Sequence, residues 1–92
     1  MYKITEYSLD RAKQLGVRIE PSQRPDKKID VYAPSGHYIT SIGSIGYDDY
    51  PTYYNEYGPD YAEERRRLYK IRHNKDRKVV GSKGWFADQI LW

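Results

Sequence analysis

No cysteine occurs among the 92 residues, which excludes a disulfide framework, a thiolate zinc site and any thiol nucleophile or redox centre. Large apolar side chains are scarce as well, with one Phe, one Met and two Trp in a chain that is only 38% hydrophobic. No apolar run approaches the roughly 20 residues that cross a bilayer, and the opening Met1-Tyr2-Lys3-Ile4-Thr5-Glu6-Tyr7 lacks the apolar stretch of a secretory signal. The chain is therefore expected in a cell interior or packaged inside a particle, neither secreted nor transmembrane. A chain of this size buries only roughly 60 to 65% of the surface it exposes when unfolded. One small domain spanning residues 1–92, with every large apolar side chain recruited to a thin core, is the expectation.

Positive charge is missing from the middle of the chain. No Lys or Arg lies between Tyr38 and Glu64, where Asp48, Asp49, Glu56, Asp60, Glu63 and Glu64 stand. From Arg65 to Lys78 the sign reverses, with Arg65, Arg66, Arg67, Lys70, Arg72, Lys75, Arg77 and Lys78 against Asp76 alone. The formal net charge of +3 hides this segregation. Blocks of opposite sign either steer an acidic partner to one end of the molecule or fold back and neutralise each other.

Local signals predict an α+β fold. Ser8 is placed to cap a short helix over Leu9 to Leu15, with Leu9, Ala12 and Leu15 on one face and Gly16 as its left-handed end. Val17 and Ile19 read as a brief extended segment stopped by Pro21, and residues 22–28 as a polar loop. Ile29 to Ala33 and Tyr38 to Ile42 form a hairpin around the turn residues Pro34-Ser35-Gly36-His37, with Gly43-Ser44-Ile45-Gly46 breaking its second strand. Pro51 and the Gly58-Pro59 pair predict that residues 47–61 are a loop with at most one helical turn, which makes their tyrosine periodicity accidental. Asp60 and Glu63 have capping-box spacing, so a long helix is expected from about Tyr61 to about Lys75 with Tyr61, Ala62, Leu68, Tyr69 and Ile71 facing inward. Residues 79–84 then interrupt, and Trp85 to Trp92 forms a terminal helix whose Trp85, Phe86, Ile90, Leu91 and Trp92 belong to a core or interface. The expected architecture is a small antiparallel hairpin sheet packed by the long central helix and the short C-terminal helix.

Two features carry the functional expectations. The long helix places Arg66, Lys70, His73 and Arg77 on one stripe about 16 Å long at about 1.5 Å per residue. With Arg72 and with Lys83 in the Gly81-Ser82-Lys83-Gly84 turn, these are the candidate contacts to phosphates or to an acidic partner. Helix electrostatics is the competing account, since acidic residues suit a helix start, basic ones its end, and Glu63 can pair with Arg67. The Gly81 to Gly84 turn likewise reads better as a plain connection with Ser82 as cap than as a phosphate cradle, because the spacing of a P-loop is missing. Arg66 and Lys70 are expected to face solvent, so reversing both charges should spare the fold.

The second feature is tyrosine, 11 of 92 residues. Tyr47, Tyr50, Tyr53, Tyr54 and Tyr57 lie in the acidic segment, where surrounding carboxylates disfavour a polyanion and favour contact with a protein. Filling a small core is the commoner use of tyrosine and stands beside that reading. Catalysis finds no support: His37 and His73 are separated in the sequence, and Asp48-Asp49 and Glu63-Glu64 are adjacent pairs whose side chains diverge. The sequence is therefore read as non-enzymatic, with no catalytic residue, metal ligand or cofactor assigned.

The order of certain runs resembles a family of small basic proteins encoded by large DNA viruses of algae, by related giant viruses and by some phages. The resemblance rests on Tyr7-Ser8-Leu9-Asp10, Ala12-Lys13, Leu15-Gly16-Val17, Lys28-Ile29-Asp30-Val31-Tyr32, Ile42-Gly43, Asp49-Tyr50-Pro51-Thr52-Tyr53, Arg66-Arg67, Arg72-His73 and the ending Gly81 to Trp92. It covers nearly the whole chain and supplies no site residues. What it implies is a viral setting, in which such proteins are often minor virion components that cement capsid subunits or accompany the genome. The leading expectation is accordingly a structural protein of a viral particle that contacts capsid or other viral proteins. A nucleic-acid-binding protein using the basic helix on DNA or RNA, or a regulatory module that binds a host or viral protein, are the alternatives.

Overall fold

Thr5, not Ser8, opens the first helix in the computed structural model, which describes residues 1–92. The Thr5 hydroxyl accepts the Ser8 N–H at 3.2 Å, so helix α1 spans Glu6–Leu15 and begins a turn earlier than its sequence suggests. Ser8 becomes a buried helical residue, and the buried face runs through Ser8 and Ala12 while Leu9 is exposed. Gly16 ends the helix at φ 74°, a left-handed conformation that an L side chain resists. The chain is α+β, with four α-helices and a three-stranded antiparallel sheet, and falls into two compact units, Met1–Tyr47 and Asp48–Trp92.

In the first unit, α1 is followed by β1 (Arg18–Pro21), β2 (Lys27–Tyr32) and β3 (Tyr38–Ser44), paired in the order β1-β2-β3. The extended segment at Val17 to Pro21 and the hairpin both form as expected. Ile29 pairs with Ile42, Asp30 with Ser41 and Val31 with Thr40, and the register slips at Tyr32 to admit one extra residue in β3. Ile29, Val31 and Ile42 have no exposed surface. Burial of each contributes about 1.5–3 kcal/mol, which makes them the apolar centre of this unit. Strand β3 does not break at Gly43 as expected. It runs through Gly43 at φ 76° to Ser44, and the turn comes at Gly46. Glycine carries the strand through a backbone angle that other residues avoid.

The second unit begins with a helix where a loop is expected. Helix α2 spans Tyr50–Tyr57, and Asp49, which is buried, caps it by accepting the Thr52 N–H at 3.1 Å. Pro51 sits in the first turn, where the missing N–H has no intrahelical partner to lose and the fixed φ already suits a helix. Gly58, at φ 90°, closes α2 and leads directly into α3, Pro59–Arg72, which packs against it. Pro59 occupies the first turn of α3 and no side chain caps it, so Asp60 lies inside the helix and the expected capping box does not form. The helix ends at Arg72 with His73 as C-cap, three residues short of Lys75. A 3₁₀ turn (Asp76–Lys78) follows, and then α4 (Lys83–Leu91), capped as expected by Ser82, whose hydroxyl accepts the Trp85 N–H at 3.2 Å. Ala62, Phe86, Ile90 and Leu91 are buried and Trp85 and Trp92 half-buried, whereas Tyr61 and Ile71 are exposed against expectation. No helix is long and apolar enough to cross a membrane.

Candidate functional site

Because Tyr50, Tyr53, Tyr54 and Tyr57 recur at helical spacing on α2, their rings form a surface in place of scattered loop contacts. Tyr50 lies 6.0 Å from Tyr54 between ring centres, and Tyr53 lies 6.3 Å from Tyr57 and 5.6 Å from Tyr61 of α3. Tyr57 and Tyr61 approach to 4.7 Å. From Tyr53 the ladder continues through Trp92 at 6.2 Å to Tyr69, which lies parallel to Trp92 at 4.2 Å, and on to His73 at 4.3 Å. The contacts among the tyrosines and from Tyr53 to Trp92 are tilted, and those of Tyr69 with Trp92 and His73 are stacked. Tyr61, Tyr69 and Trp92 join this surface although the sequence places Tyr61 and Tyr69 on the inward face of α3 and Trp92 in a core or interface; for Tyr61 the further signal is the tyrosine spacing that Pro51 appears to forbid. Tyr47 is 75% exposed and belongs to the first unit.

The basic stripe is largely occupied from within. The Arg66 guanidinium lies over the Tyr50 ring, 3.6 Å from its centre, and also bonds Glu63 at 3.2 Å. Arg65 sits 5.3 Å over Tyr53. Lys70 donates to Asp88 at 2.8 Å, and Asp88 is only 3% exposed. His73 stacks on Tyr69, with Nδ1 4.0 Å from Asp76, an ion pair only when His73 is protonated. Arg77 donates through Nε to the Lys70 carbonyl at 3.1 Å and so tethers the 3₁₀ turn to the end of α3. Arg66 and Lys70 are therefore half-buried structural cations, not solvent-facing ones, which corrects the expectation for their charge reversal. Arg72 and Lys83 are exposed.

The acidic and basic blocks neutralise each other in part. Glu63 pairs with Arg66 and Glu64 with Arg67, each three residues apart, so the expected Glu63 to Arg67 pair does not form. The two hydrogen bonds from Arg67 hold the Glu64 carboxyl below its usual range and raise the Arg67 guanidinium in turn. Burial, then the charges of Asp88 and Asp76, pushes the Tyr69 phenol up to about 12, so it stays neutral at any physiological pH.

A buried carboxylate network lies in the first unit. Asp30 is 5% exposed and accepts hydrogen bonds through Oδ1 from Ser22 and Ser41, both at 2.6 Å, and through Oδ2 from the Gln23 N–H at 3.3 Å. Ser41 is joined to the Tyr38 hydroxyl at 2.7 Å. Burial and Asp30 itself push the Tyr32 phenol up. This network resembles a structural clamp, because every hydroxyl in it is committed to another member and neither histidine joins it. An open cavity of about 540 Å³ nearby is lined by Met1, Tyr2, Ser22, Arg24, Lys27 and Ile45, with the Ser22 hydroxyl already held by Asp30. No group of three or more His, Asp or Glu side chains is gathered where a metal ion could be held.

Comparison of the chain with protein-family models, with curated proteins and with solved structures finds no match.

Proposed function

We propose that this chain is a non-enzymatic interaction protein that meets a protein partner through the tyrosine face of α2 and the start of α3. The observation that carries this reading is the exposure of Tyr54, Tyr57 and Tyr61, at 46%, 59% and 45%, in a segment that contains no Lys or Arg. Tyrosine offers a large contact area at the entropic cost of two side-chain torsions, and clustered exposed rings are uncommon on surfaces that touch only water. The resemblance of the sequence to small proteins of large DNA viruses supports a viral setting. A minor capsid-associated component of the particle is the role that joins the two, with capsid or other viral protein as the partner.

A second reading, phosphate binding, is supported by Arg72, Lys75 and Lys78, which are exposed around the end of α3. It is weakened by the loss of Arg66, Lys70, His73 and Arg77 to internal contacts, since counterion release scales with the number of phosphates neutralised. Fluorescence anisotropy of the purified chain with labelled duplex DNA, single-stranded DNA and RNA over a salt series separates the two. Protein contact as the main role predicts no micromolar binding at low salt. Micromolar binding with a salt slope of about three to five phosphates would replace it with the nucleic-acid reading. A photo-reactive side chain at position 57 is expected to crosslink a capsid protein in assembled particles, and one at position 72 is not.

A further inference from the structure

Resting on the reading of the tyrosine face as a protein contact, we propose that what this face recognises is arginine, presented on an extended cationic segment of the partner. The molecule already stacks guanidinium groups on its own inner rings: Arg66 lies 3.6 Å from the centre of Tyr50, and Arg65 lies 5.3 Å from that of Tyr53. The outer rings of the same two helices, Tyr54, Tyr57 and Tyr61, are exposed and carry no cation. Tyr57 and Tyr61 sit 4.7 Å apart at an interplanar angle of 40°, so they offer two adjoining ring surfaces.

Charge supports the same occupant. Glu56 precedes Tyr57 and Asp60 precedes Tyr61, both acids are exposed, and neither is held in an ion pair. The nearest basic residues along the chain are already spent, Arg65 and Arg66 on tyrosine rings and Arg67 on Glu64 at 2.6 Å. An incoming cation therefore meets aromatic faces and unpaired carboxylates with little repulsion. Arginine is favoured over lysine because its planar, weakly hydrated guanidinium stacks on a ring while still donating to a carboxylate, whereas an ammonium holds its water more tightly.

The test is calorimetric titration of the full chain with two synthetic peptides of equal length and charge, one alternating Gly with Arg and the other Gly with Lys. The arginine peptide is expected to bind about five-fold tighter or better. Tyr57→Leu combined with Tyr61→Leu should remove that preference, and the corresponding Phe variants, which keep the rings, should retain it. Tyr57→Leu alone, at the exposed end of α2, is measured alongside and decides the matter if the pair loses its helical circular dichroism. Equal affinity for both peptides, still reduced by the Leu variants, overturns arginine recognition and leaves the tyrosine face as a contact. No binding of either peptide, or affinities that ignore the Leu variants, overturns arginine recognition by this face.

Discussion

Asp30 shows how a single carboxylate can hold its charge inside a small fold. Burial by itself pushes its pKa up, but hydrogen bonds from Ser22, Ser41 and the Gln23 N–H, with the charge of Arg24, outweigh it and leave the pKa below its ordinary 3.8. A depressed carboxyl stabilises the folded state fully above the unfolded value. That contribution is lost as pH falls below about 3.8 toward the folded value. Acid titration of the folded circular dichroism signal should therefore show destabilisation that begins near that pH, and Asp30→Ala should flatten it. The same variant leaves the Ser22 hydroxyl without its acceptor, at about 1–3 kcal/mol, while Ser41 can turn to the Tyr38 hydroxyl at 2.7 Å, and it is expected to lower the thermal midpoint at neutral pH. Gly84 is the opposite kind of residue, required for what it lacks. A Cβ there would lie 2.9 Å from the Asp76 Cβ and 3.0 Å from the Asp76 carbonyl oxygen. Alanine gains up to about 1 kcal/mol of helix propensity but must displace backbone, an overpacking cost of about 1–3 kcal/mol. Thermal denaturation of Gly84→Ala should show net destabilisation; an unchanged or raised midpoint would mean that the 3₁₀ turn yields freely.

At the scale of the elements, α3 is held in place by its own cations. The Lys70 to Asp88 pair joins α3 to α4 across 18 residues of sequence, with Asp88 buried and Lys70 about one-third exposed. Removing the ammonium by Lys70→Met strands a buried carboxylate, which costs about 3–5 kcal/mol when both partners are buried and roughly 2–3 kcal/mol here once solvent screening at Lys70 is allowed for. Urea denaturation should show that loss, and the double reversal Arg66→Glu with Lys70→Glu should lose much of its helical signal. The helix itself was legible, although the capping box that suggested it does not form, and so were the hairpin, the Gly16 stop and the Ser82 cap. What was not legible depended on residues far away in the chain. Nothing in the spacing of Arg66, Lys70, His73 and Arg77 says that Tyr50 and Asp88 will fold against two of them. Helix α2 was hidden for a more local reason. Pro51 reads as a breaker unless Asp49 is recognised as the cap, two residues earlier and three before Thr52.

For the molecule as a whole, the segregation of charge takes on a different meaning once the contacts are known. The basic block is consumed largely in building the second unit, while Glu56 and Asp60 stay unpaired beside the exposed rings. The surface left for a partner is thus aromatic and acidic, although the chain carries a net +3. Candidate tyrosines could be named from composition, but their union into one face required α2 to be a helix. The proposed partner contact runs through Tyr54, Tyr57 and Tyr61 rather than through phosphate contacts from α3. The most direct measurement is the amide NMR spectrum of the chain titrated in parallel with the arginine peptide and with a short DNA duplex. The account predicts shifts at Tyr54, Tyr57, Tyr61 and their neighbours with the peptide, and an unchanged spectrum with the duplex. Unmoved tyrosines with the peptide, together with shifts at Arg72, Lys75 and Lys78 on adding the duplex, would contradict it.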